Sequence, residues 1–293
     1  MTAETVLYIL VSGVVLGSLY ALMAVGLALV WTTLGIFNFA HGMFITLGAY
    51  FAWTVADGNG LGWGLAAGIA FSVAALAALG CLAEAVLVRP FLKRDNLVLV
   101  AVITTLAAAT FLENATLLSW GGRSKQLAPL AEGNISMFGI GLSAHEAAIV
   151  VIAPLILYSV WLFLQRTRTG SALRAIAQNQ EAALLVGIPV ARLYALSFAL
   201  AASLAGLVGI FLGGIKFMSP SMGTDPMVKA LVVVIFGGIA SISGPIRAAY
   251  VIGLLEAVCI YSIGIYWTQA ALFVVMIAVL MIRPTGLFGG QRA

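Results

Sequence analysis

The sequence predicts an all-α protein that crosses a membrane about eight to nine times. Hydrophobic residues make up 63% of the 293 residues and charged residues only 8%, whereas soluble domains carry about a quarter charged residues. The mean hydropathy is +1.14, and apolar runs follow one another along nearly the whole chain. These observations exclude a soluble globular protein and predict a polytopic bundle of transmembrane helices.

Nine apolar segments are long enough to enter or cross a lipid bilayer. They are residues 5–31, 39–56, 64–88, 96–120, 143–165, 192–214, 228–242, 246–264 and 267–282. The first follows Glu4 without a basic stretch or a small-residue cleavage pattern, so we interpret it as a retained span and not as a signal peptide. No soluble domain is predicted, and residues 1–293 are expected to form a single transmembrane domain.

The basic residues are distributed unevenly between the two sides that these spans create. With the N-terminus outside and the C-terminus in the cytoplasm, the cytoplasmic side holds ten of the fourteen basic residues: Arg89, Lys93, Arg94, Arg166, Arg168, Arg174, Arg192, Arg247, Arg283 and Arg292. The outside holds Arg123, Lys125, Lys216 and Lys229. This asymmetry follows the positive-inside rule and predicts that orientation. Because topology explains the net charge of +4, no nucleic-acid partner is predicted.

Two of the predicted spans are interrupted by polar residues and glycines. The first interruption contains Thr32, Thr33, Gly35 and Asn38. The second, at the end of segment 228–242, contains Gly237, Gly238, Ser241 and Gly244. Non-helical backbone at membrane depth is tolerated only where protein or a water-filled cavity covers it, so both breaks point toward a transport pathway. The two breaks occur at comparable places in the two halves of the chain, whose first spans cross the membrane in opposite directions. Spans one to four and six to nine are therefore a candidate inverted repeat.

The one long polar stretch, residues 166–192, is predicted to be cytoplasmic and to contain a short helix. Ser171 or Thr169 is its candidate N-cap, and Gly187 followed by Pro189 is its predicted end. One predicted face carries Leu173, Ala177 and Leu184, and another carries Arg174, Gln178 and Glu181. An ordinary amphipathic surface helix between two spans would show the same pattern.

Four residues of this stretch also have the spacing of a known motif. Glu181, Ala182 and Ala183, with Gly187 four residues further on, resemble the EAA-x-x-x-G loop of ABC importer permeases. In those proteins a short helix docks into a cleft of the ATPase subunit. The resemblance therefore implies that this loop, including Arg174, couples an ATPase to the membrane domain.

Polar residues at the first break are candidates for a substrate pathway. Asn38 is a predicted N-cap of the helix that follows, and a helix that begins inside the membrane presents backbone N–H groups with partial positive charge. The carboxylate of an amino acid would be attracted there, close to His41 and Gly42. The alternative is that Asn38 only caps the helix and that His41 only hydrogen-bonds a neighbouring helix.

Two acidic residues lie inside predicted spans. Glu256 is near the middle of its span, where a carboxylate costs about 2.5 to 3.5 kcal/mol on insertion scales. We expect a structural hydrogen bond in preference to substrate contact, because no second charged residue is predicted at its depth. Glu113 forms a polar face with Thr110 and Asn114. That face is either part of the pathway or a helix–helix contact.

Several kinds of site are not predicted. Residues 121–125 lack the Gly-Lys-Ser/Thr order of a phosphate-binding loop, so the chain is not expected to use ATP by itself. Cys81 and Cys259 lie inside apolar runs, and no cluster of metal ligands is present in the sequence. The sequence therefore predicts no cofactor, no metal site and no catalytic residues.

The motifs taken together resemble the branched-chain amino-acid class of ABC importer permeases, the LivH type. The segments that carry the resemblance are 17–22, 38–42, 47–50, 174–187, 193–209 and the glycine-rich break 237–244. They occur through nearly all of the chain.

The resemblance implies a transport subunit of a bacterial or archaeal cytoplasmic membrane. Its expected partners are a second permease, identical or different, two ATPase subunits that bind ATP, and a periplasmic or lipid-anchored solute-binding protein. The expected substrate is a branched-chain or related hydrophobic amino acid, with urea or short amides as the alternative. A secondary transporter or channel is less well supported, because it predicts coupling carboxylates in several spans, and a membrane enzyme lacks a nucleophile and base at suitable spacing.

Overall fold

The computed structural model describes residues 3–57, 60–92, 94–137, 140–239 and 241–288. Its helices are α1 (Ala3–Leu34), α2 (His41–Ala56), α3 (Leu65–Ala83), α4 (Leu97–Trp120), α5 (Ala144–Arg166), α6 (Arg168–Gln178), α7 (Gln180–Leu185), α8 (Val190–Ile215), α9 (Thr224–Gly237), α10 (Ser243–Ile263) and α11 (Ile265–Ile282). A π-helical turn, Glu84–Val88, and a 3-10 turn, Arg89–Phe91, extend α3. Strands β1 (Asn134–Met137) and β2 (Ile140–Ser143) pair antiparallel.

The predicted fold class is confirmed. Within the described residues, seven helices are long and apolar enough to cross a membrane, namely α1, α3, α4, α5, α8, α10 and α11. The other two apolar helices, α2 and α9, have 16 and 14 residues, whereas a bilayer core needs about 20. They correspond to the segments that the sequence marked as interrupted. The total agrees with the predicted eight to nine spans, two of which reach only part of the way.

The bundle has two distinct ends. The β1–β2 hairpin lies where α5 begins, and we call this the hairpin end. Helix α5 then runs to α6 and α7, which lie at the opposite end, called here the α6 end. Helix α1 runs from the hairpin end to the α6 end, since its first half lines a cavity with Glu146 and its last turns line one with Arg174. Helix α8 starts after α7 and therefore runs in the opposite direction.

The two halves of the chain pack in the same way with opposite direction. Helix α1 packs against α10 and α9, and α8 packs correspondingly against α3 and α2. In each half a long central helix is followed by a segment that turns back into the bundle and by a short helix. Helices α4 and α11 end the two halves and are the most exposed spans, whereas α1 and α8 are the most buried. This is the arrangement of an inverted repeat.

Glycines allow the central helices to approach closely. A Cβ atom added to Gly48 of α2 would lie 2.3 Å from the Gly206 Cα of α8, and one added to Gly209 would lie 1.8 Å from the carbonyl oxygen of Ile45. In the other half, a Cβ on Gly253 of α10 would lie 2.5 Å from the Gly17 nitrogen of α1. In a membrane the apolar surroundings provide little force for helix association, so such close backbone packing holds the bundle together.

Candidate functional site

The two short helices begin next to each other inside the bundle. A Cβ on Gly42, in the first turn of α2, would lie 2.8 Å from the Gly223 carbonyl oxygen, and one on Gly223 would lie 1.8 Å from the Gly42 carbonyl oxygen. The Gly223 backbone N–H, just before α9, donates to the Thr46 Oγ1 at 3.1 Å. Both N-termini carry the partial positive charge of a helix dipole. Their meeting point, which we call the α2–α9 junction, therefore favours a negatively charged group.

Asn38 lies at this junction but not in the predicted capping position. Ala40 occupies the N-cap position of α2, and the Asn38 Oδ1 instead accepts from the Ala40 N–H at 3.1 Å. The His41 N–H also donates to the Asn38 backbone carbonyl at 3.1 Å. The prediction of a simple N-cap is wrong, because the Asn38 side chain closes a tight turn with Ala40 before the helix begins at His41.

The side chain of His41 is fully buried beside Gly26 of α1. Among the described residues, the two ring nitrogens of His41 and the Nδ2 of Asn38 make no well-formed hydrogen bond. Buried polar atoms without partners carry a desolvation cost of about 1–3 kcal/mol each. Two such side chains beside two helix N-termini form a polar centre in an otherwise apolar interior.

The carboxylate of Glu256 is held by two side chains of the same protein. This carboxylate, 3% exposed, forms an ion pair with the Lys229 Nζ at 2.7 Å and accepts a hydrogen bond from the Tyr20 hydroxyl. Lys229 also pairs with Asp225 at 3.1 Å. The expectation that no second charge shares the depth of Glu256 is wrong, because α9 begins inside the bundle and carries Lys229 inward. In the sequence, the i, i+4 spacing of Asp225 and Lys229 indicates only that the two side chains can pair on one helix.

Replacing Lys229 by Met should destabilise the protein strongly. The substitution leaves the buried Glu256 carboxylate without its cation, which typically costs about 3–5 kcal/mol. We expect a lower thermal unfolding midpoint for the detergent-purified permease and less of it in the membrane. The double variant Lys229→Met, Glu256→Gln should recover much of the loss, since no uncompensated charge remains. A single variant as stable as the wild type would contradict a structural ion pair.

Glu113 lies apart from the other predicted pathway residues. It is half-buried on the edge helix α4 and shares no hydrogen bond or ion pair with Asn38, His41 or Glu256. It lines a cleft of about 450 Å³ near the end of α4, together with Asn114, Leu117, Gly122, Pro220 and Ser221. The Asn114 Nδ2 donates to the Thr110 carbonyl at 2.8 Å. The structure therefore brings Asn38, His41 and Gly42 together and places Glu113 elsewhere.

The glycine-rich break after α9 is a tight backbone turn. Gly238 has a φ of 97°, in the region that favours glycine. A Cβ on Gly237 would lie 2.7 Å from the Pro245 Cα, and one on Gly244 would lie 2.3 Å from the Gly237 carbonyl oxygen. The Ser241 Oγ accepts from the Gly244 N–H at 3.0 Å. The end of α9 thus packs directly on the start of α10.

The stretch 166–192 forms two helices and not one. Helix α6 is capped by Thr167, whose Oγ1 accepts from the Gly170 N–H at 2.9 Å. Helix α7 is capped by Asn179, whose Oδ1 accepts from the Ala182 N–H at 3.0 Å. The predicted caps Ser171 and Thr169 are therefore wrong. Asn179 adopts an extended conformation, and its side chain starts a new helix where a single one was expected.

Helix α7 ends at Gly187 as the sequence predicted. Gly187 has a φ of 80°, and its N–H donates to the Leu184 carbonyl at 3.1 Å. The Ile188 N–H reaches back to the Ala183 carbonyl at 3.0 Å. These two bonds form a Schellman motif, which requires a left-handed residue at Gly187. The chain then turns back toward the bundle through Pro189 into α8.

The predicted apolar face is divided between the bundle and the solvent. Leu173 and Ala183 are buried in a cluster with residues of α5 and α8, which anchors both helices. By contrast, Leu184, Leu185 and Val186 are 54%, 88% and 76% exposed. We call Glu181, Ala182 and these three residues the α7 surface. Arg174, on α6, donates to the Gln165 Oε1 of α5 at 2.6 Å.

Arg174 connects this loop to the interior. It lines a cavity of about 380 Å³ between α1, α5, α6 and the start of α10, which Thr33 and Ser243 also line. Thr33 belongs to the last turn of α1, before the first break, and Ser243 follows the second break. Movement of α6 would therefore change the shape of this cavity next to both interrupted segments.

Comparisons with known proteins identify the family. A family model described as branched-chain amino acid transport system, permease component, matches residues 9–282. The chain is 33% identical over 292 residues to the high-affinity branched-chain amino acid transport system permease protein BraD of Pseudomonas aeruginosa, covering 96% of this chain and 94% of BraD. It is 31% identical over 290 residues to LivH of Escherichia coli, covering 95% and 94%. It is 29% identical over 294 residues to a probable LivH of Methanocaldococcus jannaschii, covering 96% and 92%. The chain belongs to the family of branched-chain amino acid transport system permease components.

Proposed function

We propose that this chain is the permease subunit of an ABC importer that carries branched-chain or related hydrophobic amino acids into the cytoplasm. ATP is bound and hydrolysed by two partner ATPase subunits, and a second permease and a solute-binding protein complete the importer. Family membership supports the transport role, and the names of BraD and LivH support the substrate class.

The α7 surface is the observation that carries the proposal. Three consecutive large apolar side chains are exposed at the end of α7 and at the residue that follows it, outside the segments long enough to span a membrane. Covering apolar surface contributes about 25 cal/mol per Å², and contiguous exposed apolar side chains mark interaction sites. The caps at Thr167 and Asn179 and the buried Ala183 keep the surface rigid. A rigid docking element can transmit the movement of an ATPase to α5 and α8, which flank it.

The charge distribution supports placing the α6 end in the cytoplasm. Arg166, Arg168, Arg174 and Arg192 belong to or adjoin the α6–α7 segment, and the positive-inside rule places such clusters on the cytoplasmic side. The C-terminus lies on the same side in this proposal, and the hairpin end faces outward, where a binding protein would deliver the substrate.

The α2–α9 junction is the proposed central point of the pathway. In transporters built from inverted repeats, half-helix N-termini near the membrane centre face anionic groups of the substrate. Here the N-termini of α2 and α9 meet, and within the described part of the chain the Asn38 Nδ2 and the His41 ring nitrogens form no well-aligned hydrogen bond. We propose that the carboxylate of the amino acid passes this point when the closed packing at Gly42 and Gly223 opens.

The test is reconstitution of the complete importer. The chain is co-expressed with its candidate ATPase, second permease and binding protein, and affinity purification in mild detergent should recover an ATPase with it. In proteoliposomes, ATP should drive the accumulation of labelled leucine, isoleucine or valine, and an ATPase variant that does not hydrolyse ATP should prevent it. Accumulation of urea or acetamide in place of leucine would move the substrate to the amide class. ATP-independent uptake without an ATPase partner would contradict the proposal.

A further inference from the structure

A second cavity lies at the hairpin end, away from the junction. It has a volume of about 280 Å³ and is enclosed by α1, the first turn of α5, the end of α8 and the start of α9. Apolar side chains form most of its wall, among them Leu16, Leu19, Leu212 and Ile215. Ligand pockets for drug-sized molecules range from about 300 to 1,000 Å³, so this cavity suits a smaller solute.

Four charged side chains also line the cavity: Glu146, Lys216, Asp225 and Lys229. Asp225 and Lys229 are paired with each other, and Lys229 also holds Glu256. Among the described residues, Lys216 and Glu146 form no ion pair. Glu146 accepts only the Ser143 N–H, at 3.2 Å, as part of the capping box of α5. The cavity therefore contains one unpaired cation and one unpaired carboxylate that do not neutralise each other.

Lys216 is influenced by its charged neighbours in the cavity. Lys216 as a whole residue is exposed to solvent. Partial desolvation of its ammonium group lowers its pKa, Asp225 opposes that shift, and Lys229 adds to it. A ligand carboxylate at this position would offset the repulsion between Lys216 and Lys229.

We propose that this cavity binds a zwitterionic aliphatic α-amino acid, with Lys216 contacting its carboxylate, Glu146 its ammonium group and the apolar wall its side chain. The inference deepens the proposed function and rests on it for the substrate class. A zwitterion satisfies two charges of opposite sign at once, which neither urea nor a simple ion does. Charge-assisted hydrogen bonds of this kind are roughly twice as strong as neutral ones.

The position of the cavity fits a site occupied before the substrate reaches the junction. Its inner wall includes Tyr20 and Met23 of α1. Gly26, one turn beyond Met23, is the residue against which His41 packs. The cavity and the junction are therefore neighbours along α1, separated by the packed side chain of Met23.

Protection of an engineered thiol tests the site without measuring transport. In an assembled importer with Cys81→Ala and Cys259→Ala, the variant Ser12→Cys places a thiol in the cavity wall. A water-soluble thiosulfonate reagent should label it, and leucine should slow the labelling about tenfold or more at saturation. Leucinamide lacks the carboxylate and 4-methylpentanoate lacks the ammonium group, so neither should protect. Ser221→Cys, in the separate cleft beside Glu113, is the matched control and should label equally with and without leucine.

Charge variants then assign the two contacts. Lys216→Gln and Glu146→Gln should each raise the leucine concentration for half-protection by about 10- to 100-fold, and Lys216→Arg should restore much of it. Gln at position 146 can still complete the capping box, so α5 keeps its start.

Three results would overturn the site: no labelling of Ser12→Cys, labelling that leucine does not slow, or protection that survives in the Lys216→Gln, Glu146→Gln double variant. Leucine uptake by the wild-type importer separates the two proposals. Uptake without protection rejects this site alone, whereas absence of leucine uptake rejects the proposed substrate.

Discussion

Replacing Leu185 by Asp should abolish uptake and leave the permease folded in the membrane. Leu185 is 88% exposed on the α7 surface, so the substitution removes no packing within the chain. A carboxylate at the centre of an apolar contact must be desolvated when the ATPase docks, and an unpaired buried charge typically costs several kcal/mol. We expect at least about a hundredfold loss of ATP-driven uptake, since about 2.7 kcal/mol of lost docking energy corresponds to that factor. Co-purification of the ATPase should fall in parallel.

The control for this experiment is Leu61→Asp. Leu61 is also an exposed leucine, 55% accessible, but it lies in the loop between α2 and α3, far along the chain from the α7 surface. Its substitution should leave ATPase association unchanged. If Leu185→Asp transported at the wild-type rate with the ATPase still bound, the α7 surface would not be the docking site.

Replacing Gly223 by Val should prevent stable folding. Even the Cβ would lie 1.8 Å from the carbonyl oxygen of Gly42, and both sides of this contact are backbone, so no side-chain rotation relieves it. The helices α2 and α9 would have to separate and lose the Gly223 N–H bond to Thr46. Overpacking a core costs about 1–3 kcal/mol when side chains can adjust, and the cost here should exceed that range.

The measurement is the amount of monodisperse permease extracted from membranes, followed by its thermal unfolding midpoint. We expect a lower yield and a lower unfolding midpoint, because a loss beyond about 1.4 kcal/mol lowers the ratio of folded to unfolded protein by more than about tenfold. Gly141→Val is the matched control, because a Cβ at Gly141 meets no atom within 4 Å and valine is favoured in strands. A Gly223→Val permease of normal yield and stability would show that the junction is loosely packed.

Local sequence patterns were sufficient for most of the helix positions. The apolar runs located all nine apolar helices, because hydropathy over about 20 residues reflects transfer into lipid and needs no tertiary information. The end of α7 was also predictable, since Gly187 and Pro189 act on the backbone beside them. The residues that cap the helices were not predictable in this way. Asn179 divides the predicted coupling helix in two, and Asn38 closes a turn before α2, because an Asn side chain can bond several nearby N–H groups and local sequence does not decide which.

The sequence alone determined that this is a multi-span α-helical membrane protein with two interrupted spans and a polar loop whose helix ends at Gly187, because each of these properties depends on residues close together in the chain. Only the tertiary structure decided which distant groups meet. Tyr20 and Glu256 are separated by 236 positions, and Gly42 meets Gly223 across the two halves. The predicted topology placed Lys229 outside the membrane, whereas the inward start of α9 places it beside Glu256. Such contacts depend on the direction and depth at which helices pack, which hydropathy does not encode.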